Sequence, residues 1–93
     1  MREVRDRPLV RRFLDDEGRV VSWPARRAAR LDVLHYLADR LDSEVGYSER
    51  EITAIIEAAH TFGDAALLRR ELFEHGLVGR TRDGWRYWLS RAE

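Results

Sequence analysis

Apolar positions in this chain recur at helical spacing three times and then alternate like a strand pair near the end. From Pro24 to about Leu41, the residues Ala28, Leu31, Leu34, Leu37, Ala38 and Leu41 form one stripe, which predicts an amphipathic helix. Pro24 suits its first turn, where a missing N–H is no loss. Asp42–Gly46 reads as a loop. A second helix is predicted over Glu49–His60, with Ile52, Ile55, Ile56 and Ala59 facing inward. Ser48 and Glu51 stand at capping-box spacing, and Tyr47 with Ile52 at the spacing of a hydrophobic staple. A third helix is bounded by Asp64, a good N-cap, and Gly76, which can take the left-handed conformation that stops a helix. Within it Leu67, Leu68, Leu72 and the stem of Glu71 face inward, leaving Arg69, Arg70 and Phe73 on the other side. Thr61-Phe62-Gly63, the link between the second and third helices, has the length of a helix-turn-helix turn, with Phe62 expected in the core.

The segment after Gly76, LVGRTRDGWRYWL, predicts a β-hairpin. Asp83-Gly84 is a two-residue type I′ signal, which sets Arg82 opposite Trp85, Arg80 opposite Tyr87, Gly79 opposite Trp88 and Val78 opposite Leu89. Alternation then puts Trp88, over Gly79, on the core side with Leu77. Arg80, Arg82, Trp85 and Tyr87 share the other face, unless Trp85 and Tyr87 are core rings beneath snorkelling arginines. The element order predicts an α+β, mainly α, winged helix-turn-helix of three helices plus a C-terminal β-hairpin wing. The segment Asp64–Gly76 would be its recognition helix.

The N-terminal third is less periodic. Residues 1–8 read as a flexible arm ahead of a single domain over residues 9–93. Residues 9–14 predict a helical turn or short strand covering the core, Asp15–Gly18 a turn, and Arg19–Trp23 an extended run. The acids of Asp15–Glu17 lack the alternation and distal Glu of a calcium loop.

Charge changes this picture more than overall composition does. The 93 residues carry 17 basic and 17 acidic groups, a formal net charge of +0. All the basic residues are arginine, the side chain suited to bidentate phosphate and guanine contacts. Their distribution is uneven. Residues 1–30 hold nine arginines against five acids, whereas residues 31–60 hold two against seven. Arg26, Arg27 and Arg30 crowd the start of the first helix, where cations oppose the helix dipole. That points either to phosphate or to a solvated face paired with Asp32. Cysteine is absent, and His35, His60 and His75 are scattered, so thiolate chemistry is excluded and a metal site is not expected. The chain shows no nucleophile elbow or phosphate-cradling glycine loop, so neither an enzyme nor a cofactor is predicted. No apolar run has the length of a membrane span, which predicts a cytoplasmic protein with no membrane partner.

FLDDEGRVVSWP (13–24), the basic stretch 25–31, YSEREI (47–52), HTFGDAALLRREL (60–72) and GLVGRTRDGWRYW (76–88) together resemble the bacterial DUF2087 family across about residues 9–89. The resemblance implies a winged-helix module in a cytoplasmic setting. It implies a link to transcription only by association, since such modules also occur beside helix-turn-helix regulator domains. Arginine placement gives the residue-level expectation of nucleic acid as partner, DNA before RNA. Arg69 and Arg70 would meet bases or phosphate in the major groove, and Arg80, Arg82, Arg86 and Trp85 would hold the flanking strand. Arg26, Arg27 and Arg30 would contact phosphate from the side. Two alternatives use the same surface. One is a protein partner or homodimer, favoured by net neutrality and the acidic second helix. The other is an RNA- or ribosome-associated role.

Overall fold

The computed structural model describes residues 9–90. It contains helices α1 (Arg27–Ala38), α2 (Glu49–Ala58) and α3 (Ala65–Glu74), and strands β1 (Gly46–Tyr47), β2 (Val78–Arg80) and β3 (Tyr87–Leu89). The strands form an antiparallel sheet in the order β1-β3-β2. Helix, strand, two helices and a hairpin, with the last strand in the middle of the sheet, make a mainly helical, winged-helix-like α+β layout, as the pattern predicted. The arm expected over residues 1–8, and residues 91–93 of the expected domain, lie outside the described residues.

The core draws on every layer. Val10, Val20, Val33, Leu34, Ile52, Leu68, Leu72 and Val78 are essentially fully buried. Each apolar side chain removed from water in this way contributes about 1.5–3 kcal/mol.

The predicted caps of α2 and α3 are present. The Glu51 N–H donates to Ser48 Oγ at 3.0 Å, and the Ser48 N–H donates to the Glu51 carboxylate at 2.9 Å. The Leu67 N–H donates to Asp64 Oδ1 at 3.2 Å, and Gly76 ends α3 with a φ of 77°. Three helix boundaries differ from expectation, one being the end of α1, which closes at Ala38 and leaves the buried Leu41 beyond it. Pro24 is a buried anchor ahead of α1, because its carbonyl is taken by Arg30 Nε at 2.6 Å and the first helical residue is Arg27. The buried face of α1 accordingly holds Ala29 and Val33, while Ala28 is exposed and Leu31 half-buried. Helix α2 stops at Ala58, two residues short of His60. The Val20 N–H takes the Ala59 carbonyl at 2.9 Å and the Thr61 N–H takes the Val20 carbonyl at 2.9 Å. The extended run Arg19–Trp23 thus ends α2 by pairing Val20 with His60.

The hairpin register is as predicted: Val78 opposite Leu89, Gly79 opposite Trp88, and Arg80 opposite Tyr87. Its turn and its faces are corrected. A type I′ turn needs positive φ at both central residues, and Asp83 keeps a negative one. The tip is instead a Thr81–Gly84 turn, closed by the Gly84 N–H on the Thr81 carbonyl at 3.0 Å, with Gly84 left-handed. The core side of the hairpin carries Val78 and Tyr87, the latter 5% exposed, whereas Trp88 lies across Gly79 and is 38% exposed. Val78 follows directly on Leu77, and both are buried. That fixes Val78, and with it Arg80, Tyr87 and Leu89, to the inner face. Strand β1 falls partly in the predicted loop. It pairs Gly46 with Trp88 and Tyr47 with Tyr87.

Candidate nucleic-acid interface

The placement of α3 begins with the turn before it. His60 is 5% exposed. Its Nδ1 lies 2.7 Å from the Ile56 carbonyl, and its Nε2 accepts the Asp64 N–H at 3.0 Å. A carbonyl can only accept and an amide N–H only donate, so the ring carries its hydrogen on Nδ1. One imidazole thereby joins the last turn of α2 to the N-cap of α3. Phe62 closes over its edge, with ring centroids 4.6 Å apart.

With α3 so placed, its two arginines diverge. Arg69 turns back toward α2, donating to Thr53 Oγ1 at 2.7 Å and lying 3.6 Å from the Glu49 carboxylate. Arg70 is exposed and makes no ion pair with a described residue. Across from it, the Arg80 guanidinium sits 4.6 Å over the Phe73 ring and donates to the Thr81 and Arg82 carbonyls at 3.1 and 3.2 Å. Arg69, Arg70, Phe73, Arg80 and Tyr87 line an open groove of about 360 Å³ between α3 and the hairpin. The structure therefore brings three of the nine predicted site residues together.

The wing tip is held by its own network. Thr81 Oγ1 accepts the N–H groups of Trp85 and Arg86 at 2.9 and 3.1 Å and donates to Asp83 Oδ1 at 2.8 Å. The Thr81 hydroxyl, then the Trp85 amide, hold the Asp83 carboxyl below the usual carboxylate range. This fixed frame carries Trp85, 77% exposed, and Arg82, also exposed. Arg86 lies against the backbone of Gly46, where a side chain would not fit. Trp85 and Arg86 line a neighbouring recess of about 470 Å³ together with Glu49, Glu51 and Asp83.

The arginines of α1 do not join these surfaces. Arg30 is spent on the Pro24 carbonyl and stacks 5.2 Å from the Trp23 ring centroid. Arg26 lines a third cavity that shares no residue with the other two. Arg27 is exposed in the first turn beside it. A single merged cationic face over all nine residues is thus replaced by three separate sets, the wing-tip set mixed with carboxylates.

Sequence reading missed Thr53 and His60. Thr53 stands four residues after Glu49, on one face of α2, which was signal enough for a shared partner. His60 sits next to the turn, where an imidazole can bridge two backbone groups. Among the described residues no cluster of three or more His, Asp or Glu is placed to hold a metal ion. No helix among them is long and apolar enough to cross a membrane. Among family models, one described as an uncharacterized protein conserved in bacteria (DUF2087) matches residues 19–89. No curated protein and no solved structure matches the chain.

Proposed function

The chain belongs to the DUF2087 family, and we propose that it is a non-enzymatic, cytoplasmic nucleic-acid-binding module that acts on duplex DNA in transcription control. The observation that carries this reading is the groove between α3 and the hairpin, with the unpaired Arg70 on one wall and Arg80 on the other. Two guanidiniums flanking a trough suit the phosphates of a strand lying between helix and wing. Arg82 and Trp85 extend the contact from the wing tip. Arg69 supports the groove from behind and is a positioning residue.

Fluorescence anisotropy with a labelled duplex tests the proposal. Affinity should fall linearly with salt on logarithmic axes, by about 0.9 per phosphate neutralised. Arg70→Ala and Arg82→Ala should each reduce that slope by about 1. Binding that is absent, or indifferent to salt and to both substitutions, refutes the reading. A second reading, a protein partner, is favoured by one observation: the most exposed ring, Trp85, borders a recess lined by Glu49, Glu51 and Asp83, which would repel phosphate.

A further inference from the structure

The largest of the cavities described, about 620 Å³, opens where α1 begins. Leu9, Phe13, Pro24 and Ala28 contribute apolar walls, and Arg12 and Arg26 are the charged residues lining it. No carboxylate of the described residues lines it, and neither arginine makes an ion pair with a described residue. Two arginines elsewhere are answered by acids. Arg19 pairs with Asp15 and Glu17, Arg69 meets Glu49, and α2 and α3 both begin with capping side chains. Here the first turn of α1 has neither a capping side chain nor an acid, so its dipole adds to the positive charge of the arginines.

Two features of this cavity select different parts of one ligand. Apolar walls favour a hydrocarbon body, and the two arginines favour an anionic head. A nucleic-acid phosphate would use the arginines and leave the walls wet. A neutral lipid would cover the walls and leave the arginines unanswered. We infer that this cavity binds a small amphiphilic carboxylate, a medium-chain aliphatic acid, its head between Arg12 and Arg26 and its chain along Leu9, Phe13 and Pro24. The volume lies within the range of sites that enclose small organic ligands. The inference shares no residue with the groove of α3 and does not depend on nucleic-acid binding.

Calorimetric titration of the full chain with decanoate, below its micelle-forming concentration, tests it, with decanol and acetate as comparison ligands. Decanoate should saturate one site per chain, decanol should bind at least about tenfold more weakly, and acetate should give no saturable heat. Arg12→Gln and Arg26→Gln should each weaken decanoate about tenfold and leave decanol unchanged. Ala28→Trp, at an exposed helical position, should block both, with circular dichroism confirming that the variant is folded. Any of four results overturns the inference: no decanoate binding, equal affinity for decanoate and decanol, indifference to both arginine substitutions, or undiminished binding by folded Ala28→Trp.

Discussion

Replacing His60 by alanine should cost more stability than any other change at a polar side chain of the helix-turn-helix. Three contributions can be worked from the structure. The Asp64 N–H loses its acceptor at 3.0 Å, and a donor stripped of its partner costs about 1–3 kcal/mol, toward the lower end here because Asp64 is exposed enough for water to reach. The Ile56 carbonyl loses the ring at 2.7 Å but keeps the Ala59 N–H at 3.0 Å, so that bond contributes about 1 kcal/mol. The edge contact with Phe62 adds about 0.5–1.5 kcal/mol. Together they come to about 2.5–4 kcal/mol, a large share of the 5–15 kcal/mol typical of a small domain. Urea unfolding followed by circular dichroism measures the loss, with the midpoint falling and the slope unchanged. His60→Gln, whose amide can both donate and accept, should recover part of it. A loss below about 1 kcal/mol for alanine, or glutamine no better than alanine, would refute the bridging role.

Three further outcomes follow from the same geometry. Gly79→Ala would bring a Cβ to 2.5–2.8 Å from the Trp88 ring, so the indole must lift off the sheet at about 1–3 kcal/mol, read as a lower melting temperature. Asp83→Asn should flatten the acid limb of stability: the folded carboxyl titrates below its ordinary value of 3.8, so its contribution is present above that pH and lost as pH falls through the folded pKa, a loss that the variant cannot show in acid titration of the melting temperature. Arg69→Met should lower stability by about 0.5–1.5 kcal/mol, mostly through the lost Thr53 bond because Glu49 is exposed to solvent, while leaving the salt slope of any DNA binding unchanged; a slope reduced by about 1 would make Arg69 a contact residue.

What was legible in the sequence had short-range causes. Ser48 with Glu51, Asp64 with the Leu67 amide, and Gly76 are local devices, and all three act where their spacing placed them. The hairpin register was legible for the same reason, although the turn that sets it is different. Thr81 and Asp83 supply side-chain bonds that relieve Asp83 of a positive φ. What escaped was decided at long range. Helix α2 ends early because Val20, some forty residues upstream, takes the carbonyl of its C-cap residue, Ala59. A two-residue strand such as β1 is too short for alternation to register, and its pairing is visible only from β3. The outward Trp88 and inward Tyr87 reverse the expected faces because Leu77 precedes β2 and is buried alongside Val78, so strand alternation starts from Val78 and not from Leu77.

The separation of Arg69 from Arg70 shows how the candidate surface is assembled. Neighbours on a helix point about 100° apart, so two consecutive arginines cannot serve one trough equally. The face that Arg70 shares is that of Ala66, Phe73 and Glu74, at spacings of three and four, and all of these line the groove. Glu74 carries a charge opposite to that of Arg70, so the exposed strip of α3 alone has little net charge. The groove becomes cationic through Arg80, which arrives from β2 and is oriented by Phe73 and by the Thr81 and Arg82 carbonyls. Hairpin register and turn geometry therefore set the electrostatics of α3's outer face. A change that slipped β2 by one residue would carry Arg80 to the opposite side of the sheet and remove the groove's second cation without touching the helix.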